Sequence, residues 1–242
     1  MKRLATICAR GGSKGVPNKN LKLLSGRPLI AWSVLQAKAT GLFDRIVVSS
    51  DSEAIQSAAL QAGADDVVNR PVDMATDEAP KVPAILHALL ETERQNNECY
   101  DTLVDLDATA PLRFPDDISG AIALLENSGS SSIITGNTAY RSPYFDLVEL
   151  QSNGTVRVSK TPSRPIVRRQ DVPVCYDMNA SIYVWKRDVL VENPSIFYDD
   201  TRLFEMPAER SREIDSPFDF LIVEFLFEKL KMAEVLIGGK DG

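Results

Sequence analysis

The chain has 242 residues, of which 44% are hydrophobic and 25% are charged. This composition is typical of a folded globular protein and excludes a disordered or fibrous one, and the length predicts one large domain with room for a small appendage. The 27 basic and 34 acidic residues give a net charge of −7, which argues against broad attraction to nucleic acid or to an anionic membrane. Any anion site must therefore be local.

The cysteines and the first residues indicate the cellular compartment. The three cysteines are widely spaced and form no CxxC pair, which predicts free thiols in a reducing compartment and no zinc site. The start, MKRLATICAR, offers only about six weakly apolar residues before its second arginine, too few for a signal peptide or a membrane span. We therefore expect a cytoplasmic protein.

The first 139 residues alternate strand-like and helix-like segments. This pattern predicts an α/β fold with a doubly wound, mostly parallel sheet and helices on both faces. Strands are predicted at 4–9, 45–51, 66–71, 102–107 and 131–139. Helices are predicted from Pro28 to Gly41, from the capping residue Ser52 to Gly63, from about Val82 to Arg94, and from Asp116 onward.

The pattern changes between residues 140 and 177. Two short strand-like segments flank the turn sequence SNG, a hairpin signal, and a stretch rich in proline and arginine follows. We interpret 140–177 as a small excursion from a catalytic core formed by 1–139 and 178–242. Within that core, 179–190 is predicted to return as a strand, and Ser216 followed by Pro217 predicts the start of a C-terminal helix.

The segment ARGGSKGVPNKN, residues 9–20, holds three glycines, one arginine and two lysines directly after the first predicted strand. In an open α/β sheet this position is at the carboxyl end of a strand, where such folds bind ligands. Glycines let backbone N–H groups approach phosphate oxygens, and the cationic side chains offset negative charge. Neither GxGxxG nor GxxxxGK[ST] is present. The segment therefore predicts a phosphate loop of another type, suited to a triphosphate; the alternative is a mobile surface turn with solvated lysines.

Residues 9–15 together with Lys19-Asn20 resemble the cytidylyltransferases that activate acidic keto-sugars, the CMP-sialic acid synthetases and their relatives. The resemblance covers nearly the whole chain. The stretches CARGGSKGV, DLDATAPLR and CYDMNASIYVWKRD resemble most the branch that activates N,N'-diacetyllegionaminate, a 5,7-diacetamido analogue of sialic acid. Further landmarks occur in the family's order at Arg70-Pro71, Ala110-Pro111-Leu112-Arg113, Arg169-Gln170, Asn179 and Glu213-Ile214-Asp215.

The resemblance implies a reaction in which CTP and a nine-carbon 2-keto acid sugar give a CMP-sugar and pyrophosphate, with Mg²⁺ as cofactor. The sugar hydroxyl attacks the α-phosphate, so catalysis rests on positioning and on electrostatic stabilisation. A catalytic role is expected for Arg10, Lys19 and Asp215. Nucleotide contacts are expected for Arg10, Gly11, Gly12, Ser13, Lys14, Lys19, Asn20 and Arg70.

Two acidic pairs compete for the metal. Asp105 and Asp107 share a strand face about 7 Å apart, and Glu213 and Asp215 share a face in the same way. Carboxylates with phosphate and water oxygens suit Mg²⁺, and either pair could supply them. The resemblance favours the second pair: Asp215 matches the family's Asp-x-Asp motif, and Glu213 departs from it by one methylene. Asp105 is equally well explained as a carboxylate satisfied by neighbouring donors.

The sugar pocket departs from the sialic-acid pattern. Asp107 stands where sialic-acid-specific relatives carry a glutamine that faces the sugar, and a carboxylate accepts hydrogen bonds without donating them. It would favour a sugar that presents N–H or O–H donors. Asp177 stands where relatives often carry an arginine. Lys81 stands near a point where relatives carry small hydroxyl residues; it is predicted to add a phosphate contact, a solvated lysine being the alternative.

The remaining sugar contacts include a residue pair on the excursion. Arg169 with Gln170 is predicted to bind the sugar carboxylate, because a guanidinium fork grips a carboxylate at two points; a solvated basic loop is the alternative. Arg113, Tyr176 and Asn179 complete the predicted sugar pocket. The resemblance further implies a homodimer in which residues 140–177 reach the partner's site.

Other functions stay open at this point. The same reaction on N-acetylneuraminate or pseudaminate is the second candidate. A nucleotide-sugar-binding or glycosyltransferase-like protein would use the fold without releasing pyrophosphate. A Rossmann-type dehydrogenase is disfavoured by the missing GxGxxG, although Asp51 ends the second predicted strand. No nucleic-acid or membrane partner is expected.

Overall fold

The computed structural model of the chain describes residues 1–13, 15–161, 168 and 171–238. Short 3₁₀ helices lie at Lys19–Leu21, Val72–Met74 and Ala208–Arg210. The strands are β1 (Arg3–Cys8), β2 (Leu23–Leu24), β3 (Arg27–Pro28), β4 (Arg45–Ser50), β5 (Asp66–Asn69), β6 (Thr102–Leu106), β7 (Ser132–Thr138), β8 (Val148–Leu150), β9 (Val156–Val158), β10 (Tyr176–Lys186) and β11 (Arg202–Glu205). The α-helices are α1 (Leu29–Thr40), α2 (Glu53–Ala62), α3 (Lys81–Asn96), α4 (Pro115–Ser128), α5 (Arg187–Glu192), α6 (Pro217–Lys229) and α7 (Met232–Ile237).

Seven of these strands form one central sheet, in the order β11-β7-β10-β6-β1-β4-β5. Strands β6, β1, β4 and β5 pair in parallel, and β11 pairs in parallel with β7. Strand β10 is antiparallel to both β6 and β7. The predicted mostly parallel α/β class is confirmed.

Helices cover both faces of the sheet because the central strands are apolar on both sides. In β1, Ala5 and Ile7 pack into a cluster with α1, α2 and α4, whereas Leu4 points into a second cluster with α3 and α5. A third cluster joins α1 to the C-terminal helices through Trp32 and Phe227, whose ring centroids lie 4.6 Å apart. This arrangement leaves the carboxyl ends of β1, β4, β5 and β6 at one edge of the sheet.

Several predicted element boundaries are confirmed by their local chemistry. Gly41 and Gly63 end α1 and α2 with φ of +63° and +95°, a conformation that suits glycine. Ser216 caps α6: its Oγ accepts the N–H of Asp219 at 3.2 Å, and the Asp219 carboxylate accepts the Ser216 N–H at 2.8 Å. Ser52 precedes α2 as predicted but makes no side-chain cap bond.

In the second half of the chain, one prediction needs correction and one strand was not predicted. The segment 179–190 is a strand only as far as Lys186, after which α5 begins. Strand β11 was not predicted, because its four residues become a strand only through pairing with β7, a partner about 70 residues earlier in the chain.

The predicted hairpin is present in the described part of 140–177. Strands β8 and β9 pair antiparallel, and Gly154 between them has φ of +81°. The hairpin lies between β7 and β10 in the chain. It is therefore connected to the central sheet at the end where Thr138 pairs with Tyr176. The division into a core of 1–139 and 178–242 and an excursion of 140–177 stays a prediction. None of the helices in the described ranges is long and apolar enough to cross a membrane.

Candidate active site

A cavity of about 230 Å³ opens at the carboxyl ends of the parallel strands. This is the edge at which an open α/β sheet binds its ligand. The cavity brings together residues from three separate segments of the sequence, 8–20, 70–84 and 107–109. Its lining includes eight of the predicted site residues: Arg10, Gly12, Ser13, Lys19, Asn20, Arg70, Lys81 and Asp107.

The loop after β1 is held in shape by its neighbours. The Gly11 N–H donates to Asp51 Oδ1 at 2.8 Å, and Asn20 Nδ2 donates to the Arg10 carbonyl at 3.0 Å. A Cβ atom added to Gly15 would overlap the carbonyl oxygen of Asp215. The loop therefore packs directly against the acidic segment 213–215. Sequence reasoning missed the role of Asp51, whose only signal was its place at the end of a strand.

The loop places a cation and an unused acceptor at the cavity. The Arg10 guanidinium forms an ion pair with Asp77, which lies just before α3. Asn20 Oδ1 is buried and has no hydrogen-bond partner within the described residues. A buried acceptor without a donor is destabilising, so this atom is suited to an N–H or O–H group of a ligand.

Arg70 forms part of the cavity wall. Its guanidinium is nearly buried and donates to the Ser49 carbonyl at 3.0 Å. The residue therefore presents a fixed positive charge at the end of β5 rather than a mobile side chain.

The two carboxylates of β6 share one ammonium group. Lys81 Nζ lies 3.1 Å from Asp105 Oδ2 and 2.8 Å from Asp107 Oδ2. Burial alone would raise the pKa of Asp107, but the charge of Lys81 and hydrogen bonds from Lys81 and Thr109 hold that pKa well below its usual range. Burial opposes the charged form of Lys81, yet Asp107 and Asp105 together raise the lysine pKa. Both groups are therefore ionised at neutral pH.

The second acidic pair is held by a buried residue between its members. Ile214 is fully buried, and its N–H donates to the Thr109 carbonyl at 2.9 Å. The Lys19 ammonium donates to the Ile214 carbonyl and lies 3.4 Å from Asp215 Oδ1. The backbone at Ile214, between Glu213 and Asp215, is therefore held in place beside the glycine-rich loop.

Glu213 lies in a region of unbalanced negative charge. Burial, together with the charges of Asp107 and Asp215, raises its pKa to about 7. A bound cation would reverse this penalty. Within the described residues no set of three or more His, Cys, Asp or Glu side chains could hold a metal ion. A metal at Glu213 and Asp215 would thus need oxygens from a substrate as well.

Two predicted sugar contacts are buried side chains with partners inside the protein. Arg113 is fully buried and donates to the carbonyls of Asp107 and Ala110 at 2.8 Å each, and burial lowers its pKa to about 10. Asn179 is also buried, with Thr135 Oγ1 donating to its Oδ1 at 2.6 Å. These bonds give both residues a structural role, and their contact with the sugar stays a prediction. Arg113 holds the loop that follows β6.

Other predicted sites lie outside the cavity or outside the described residues. Tyr176 is 42% exposed at the start of β10 and does not line this cavity. Lys14, Arg169 and Gln170 are not among the described residues. Their predicted roles stay predictions.

Comparison with known proteins assigns the family. Residues 4–235 match the family model described as Cytidylyltransferase. The chain belongs to the cytidylyltransferase family. This membership, together with the bond between Asp51 and Gly11, removes the basis for the dehydrogenase hypothesis.

Two relatives are similar to the chain in sequence, and one solved structure is similar to it in fold. The CMP-N,N'-diacetyllegionaminic acid synthase of Campylobacter jejuni is 47% identical over 92% of this chain and 94% of that protein. The post-translational flagellin modification protein B of Campylobacter coli is 46% identical over 93% of this chain and 95% of that protein. A structure of CMP:2-keto-3-deoxy-manno-octonic acid synthetase complexed with CTP matches with a TM-score of 0.70 at 18% identity, covering 95% and 100% of the two chains. This last likeness shows the fold alone.

Proposed function

We propose that this chain transfers CMP from CTP to a nine-carbon 2-keto acid sugar, N,N'-diacetyllegionaminate, with release of pyrophosphate. The observation that carries the proposal is the packing of Gly15 on Asp215, which places the acidic segment 213–215 directly against the cationic, glycine-rich loop that lines the cavity. A nucleoside triphosphate with a divalent cation is the ligand that this loop and the adjacent carboxylates fit together. The 47% identical relative supports the choice of sugar.

The reaction can be written with the residues of the cavity. The anomeric hydroxyl oxygen of the sugar forms a bond to the α-phosphorus, the bond from that phosphorus to the bridging oxygen of pyrophosphate breaks, and the hydroxyl proton is released. Negative charge grows on the phosphate oxygens during this step. Arg10 and Lys19 supply fixed positive charge beside them, with Ser13 and the loop N–H groups as further donors.

We propose Mg²⁺ as the cofactor, held by Glu213 and Asp215. The pKa of Glu213 stays raised although Lys19 forms an ion pair with Asp215, so the negative charge of the two carboxylates is not fully balanced, which fits a cation-binding role. Mg²⁺ is commonly bound through one or two carboxylates plus substrate phosphates, in agreement with the small protein ligand set. When bound, the ion supplies charge neutralisation of the phosphate oxygens.

The nucleotide base is assigned to the side of the cavity formed by Asn20 and Arg70. The unpaired Asn20 Oδ1 can accept a hydrogen bond from an amino or hydroxyl group, and the cytosine amino group and the ribose hydroxyls are such donors. Asp107 and Lys81 line the same cavity further along β6. Because both Asp107 oxygens already receive hydrogen bonds, any sugar contact there involves the Lys81–Asp107 pair rather than a free carboxylate.

We also propose a cytoplasmic homodimer formed through the hairpin. The hairpin exposes three large apolar side chains to solvent: Val148, Leu150 and Val156. Covering them with a second copy would bury this surface. Light scattering after size-exclusion chromatography should give a dimer, and Leu150→Glu should shift it toward the monomer. A monomeric wild-type chain at micromolar concentration would end this part of the proposal.

Pyrophosphate release tests the central claim. Purified protein is incubated with CTP, Mg²⁺ and, in separate reactions, N,N'-diacetyllegionaminate, N-acetylneuraminate and pseudaminate. We expect the first sugar to give the highest kcat/KM, and Arg10→Ala to lower turnover by at least about a hundredfold because it removes a charge beside the reacting phosphate. Arg94→Ala, an exposed arginine on α3, is the control. Absence of pyrophosphate with every sugar would favour the binding-protein alternative.

A further inference from the structure

Lys81 holds an unusual position for a cation. It is the first residue of α3, where the helix dipole disfavours positive charge. Its side chain is 27% exposed and reaches back to the end of β6. A lysine at this point therefore needs a local source of stabilisation, which the β6 carboxylates supply.

The ammonium group bridges the two carboxylates as a metal ion would. It lies within hydrogen-bond distance of one oxygen from Asp105 and one from Asp107. The other oxygen of each is also used: Thr6 Oγ1 donates to Asp105 Oδ1 at 2.9 Å, and Thr109 donates to Asp107 Oδ1 through N–H and O–H at 2.8 Å. Asp107 thus uses both oxygens in hydrogen bonds, whereas Asp105 uses Oδ1 in a hydrogen bond and Oδ2 in the ion pair with Lys81, without a hydrogen-bond partner for Oδ2 in the described part of the chain.

Further contacts hold the lysine in place. Its Nζ lies 4.7 Å from the centroid of the Tyr183 ring, a favourable cation–π distance. The bridging distances of 3.1 and 2.8 Å suit an ammonium group that forms an ion pair with Asp105 and a hydrogen bond with Asp107, and they exceed the roughly 2.0–2.1 Å that Mg²⁺ requires. The side chain is covalently attached, so this positive charge does not dissociate as a bound ion does.

We propose that Lys81 takes the place of a second divalent cation: it occupies the bridging position between Asp105 and Asp107, excludes a metal ion from that pair, and confines metal binding to Glu213 and Asp215. This inference rests on the proposed function for the assignment of the second pair. Lys81 is a positioning residue, which acts on the metal through the carboxylates that it neutralises. Its predicted role as a phosphate contact is then secondary.

Counting Mn²⁺ ions tests the inference without any catalytic assay. Mn²⁺ is titrated into the nucleotide-free full chain, and free ion is measured by electron paramagnetic resonance. We expect wild-type binding to be lost in Asp215→Asn and unchanged in Asp107→Asn. We expect Lys81→Met to bind one additional Mn²⁺ ion per chain, and Lys81→Arg, which keeps the charge, to bind none beyond wild type.

The double variant Lys81→Met/Asp107→Asn identifies the additional site. The extra ion should disappear in it, because one of the two bridging carboxylates is gone. The inference is overturned if Asp107→Asn weakens wild-type Mn²⁺ binding tenfold or more, or if folded Lys81→Met gains no ion. The Asp107→Asn arm keeps Lys81 paired with Asp105, so it decides the question even if Lys81→Met does not fold.

The proposed function can fail separately. Wild-type chain that binds Mn²⁺ through Asp215 but releases no pyrophosphate with any sugar would contradict the reaction and leave the role of Lys81 standing. Pyrophosphate release that persists while Mn²⁺ binding is lost in Asp107→Asn would do the reverse.

Discussion

The two acidic pairs of this protein have the same sequence pattern and different environments. Asp105 and Asp107 are two residues apart on β6, and Glu213 and Asp215 are two residues apart before α6. Asp105 is 0% exposed and shares the Lys81 ammonium with its partner, whereas the Asp215 side chain is 78% exposed.

The difference shows that the capacity of a carboxylate pair to bind a metal ion depends on whether a cation of the protein is already paired with it. The first pair has a built-in cation, the Lys81 ammonium, so it serves the structure of the cavity wall. At the second pair, Lys19 also donates to the Ile214 carbonyl, and the pKa of Glu213 stays raised. The second pair is therefore the one that we propose as the metal site.

Removing the counter-ion of the first pair should have the largest effect on stability. Lys81→Met leaves Asp105 buried without a cation, and breaking a buried pair in this way typically costs about 3–5 kcal/mol. Urea unfolding at pH 8 in EDTA measures it. Added Mn²⁺ should restore more stability to this variant than to wild type.

The control for that change is Lys229→Met, which replaces an exposed lysine on α6 and should alter the free energy of unfolding by no more than about 0.5 kcal/mol. Equal losses in the two lysine variants would show that the Lys81 bridge is not a buried ion pair in energetic terms.

Removing a member of the second pair should act on catalysis instead. Asp215→Ala should lower kcat by at least about a hundredfold, because it deletes a proposed metal ligand at the reacting phosphate. Its unfolding free energy should change little, since the side chain is exposed. Asp188→Ala, an exposed aspartate on α5, is the matched control. Turnover near the wild-type value would contradict the metal assignment.

The variant Glu213→Gln should change the pH dependence of the unfolding free energy, an effect expected of the second pair. The pKa of Glu213 is about 7 in the folded chain and near 4.5 when unfolded. The stability contributed by its protonated form is therefore present below pH 4.5 and lost as the pH rises through 7. In EDTA at pH 8 the glutamine variant should be more stable by about 1–2 kcal/mol, after discounting for partial exposure, and equal to wild type at pH 4.5.

Saturating Mg²⁺ should reverse that ranking at pH 8, because only the glutamate can ligate the ion as a carboxylate. Thermal unfolding at both pH values, with and without Mg²⁺, provides the measurement. A stability difference between Glu213→Gln and wild type that does not depend on pH would mean that folding does not raise the pKa of Glu213.

The smallest effect is expected from removing the Ser216 cap, which holds the backbone next to the second pair. Ser216 caps α6 directly after Asp215, and Asp219 also receives the Asp215 N–H at 3.3 Å. Ser216→Ala should lower the unfolding free energy by about 1 kcal/mol. Ser52→Ala, which removes no cap bond, should cost less. If the two serine variants lose the same stability, the cap is not what fixes the end of the acidic segment.

Much of the fold could be predicted from sequence because its signals are local. The ends of α1 and α2 follow from Gly41 and Gly63, and the start of α6 follows from Ser216 and Pro217. The glycine-rich loop after β1 was recognisable because glycines and cations cluster within twelve residues after a buried strand. Strand β11 was missed because its pairing partner is distant in the sequence.

The candidate site was predictable in its residue types and less so in their roles. Arg113 and Asn179 match landmarks of the family, and the structure shows that both are buried and form hydrogen bonds inside the protein. No local pattern distinguishes a buried arginine that binds carbonyls from one that faces a ligand. That distinction depends on which groups the fold brings within about 3 Å.

The sequence by itself determined the α/β architecture, the glycine-rich loop and the existence of two carboxylate pairs, because each depends on neighbours a few residues apart. Only the tertiary structure decided which pair is neutralised. Lys81 and Asp107 are separated by 26 residues in the chain and meet because α3 begins beside the carboxyl end of β6. Electrostatic interactions depend on distance in space, so the chemical difference between two identical patterns emerges only when the chain folds.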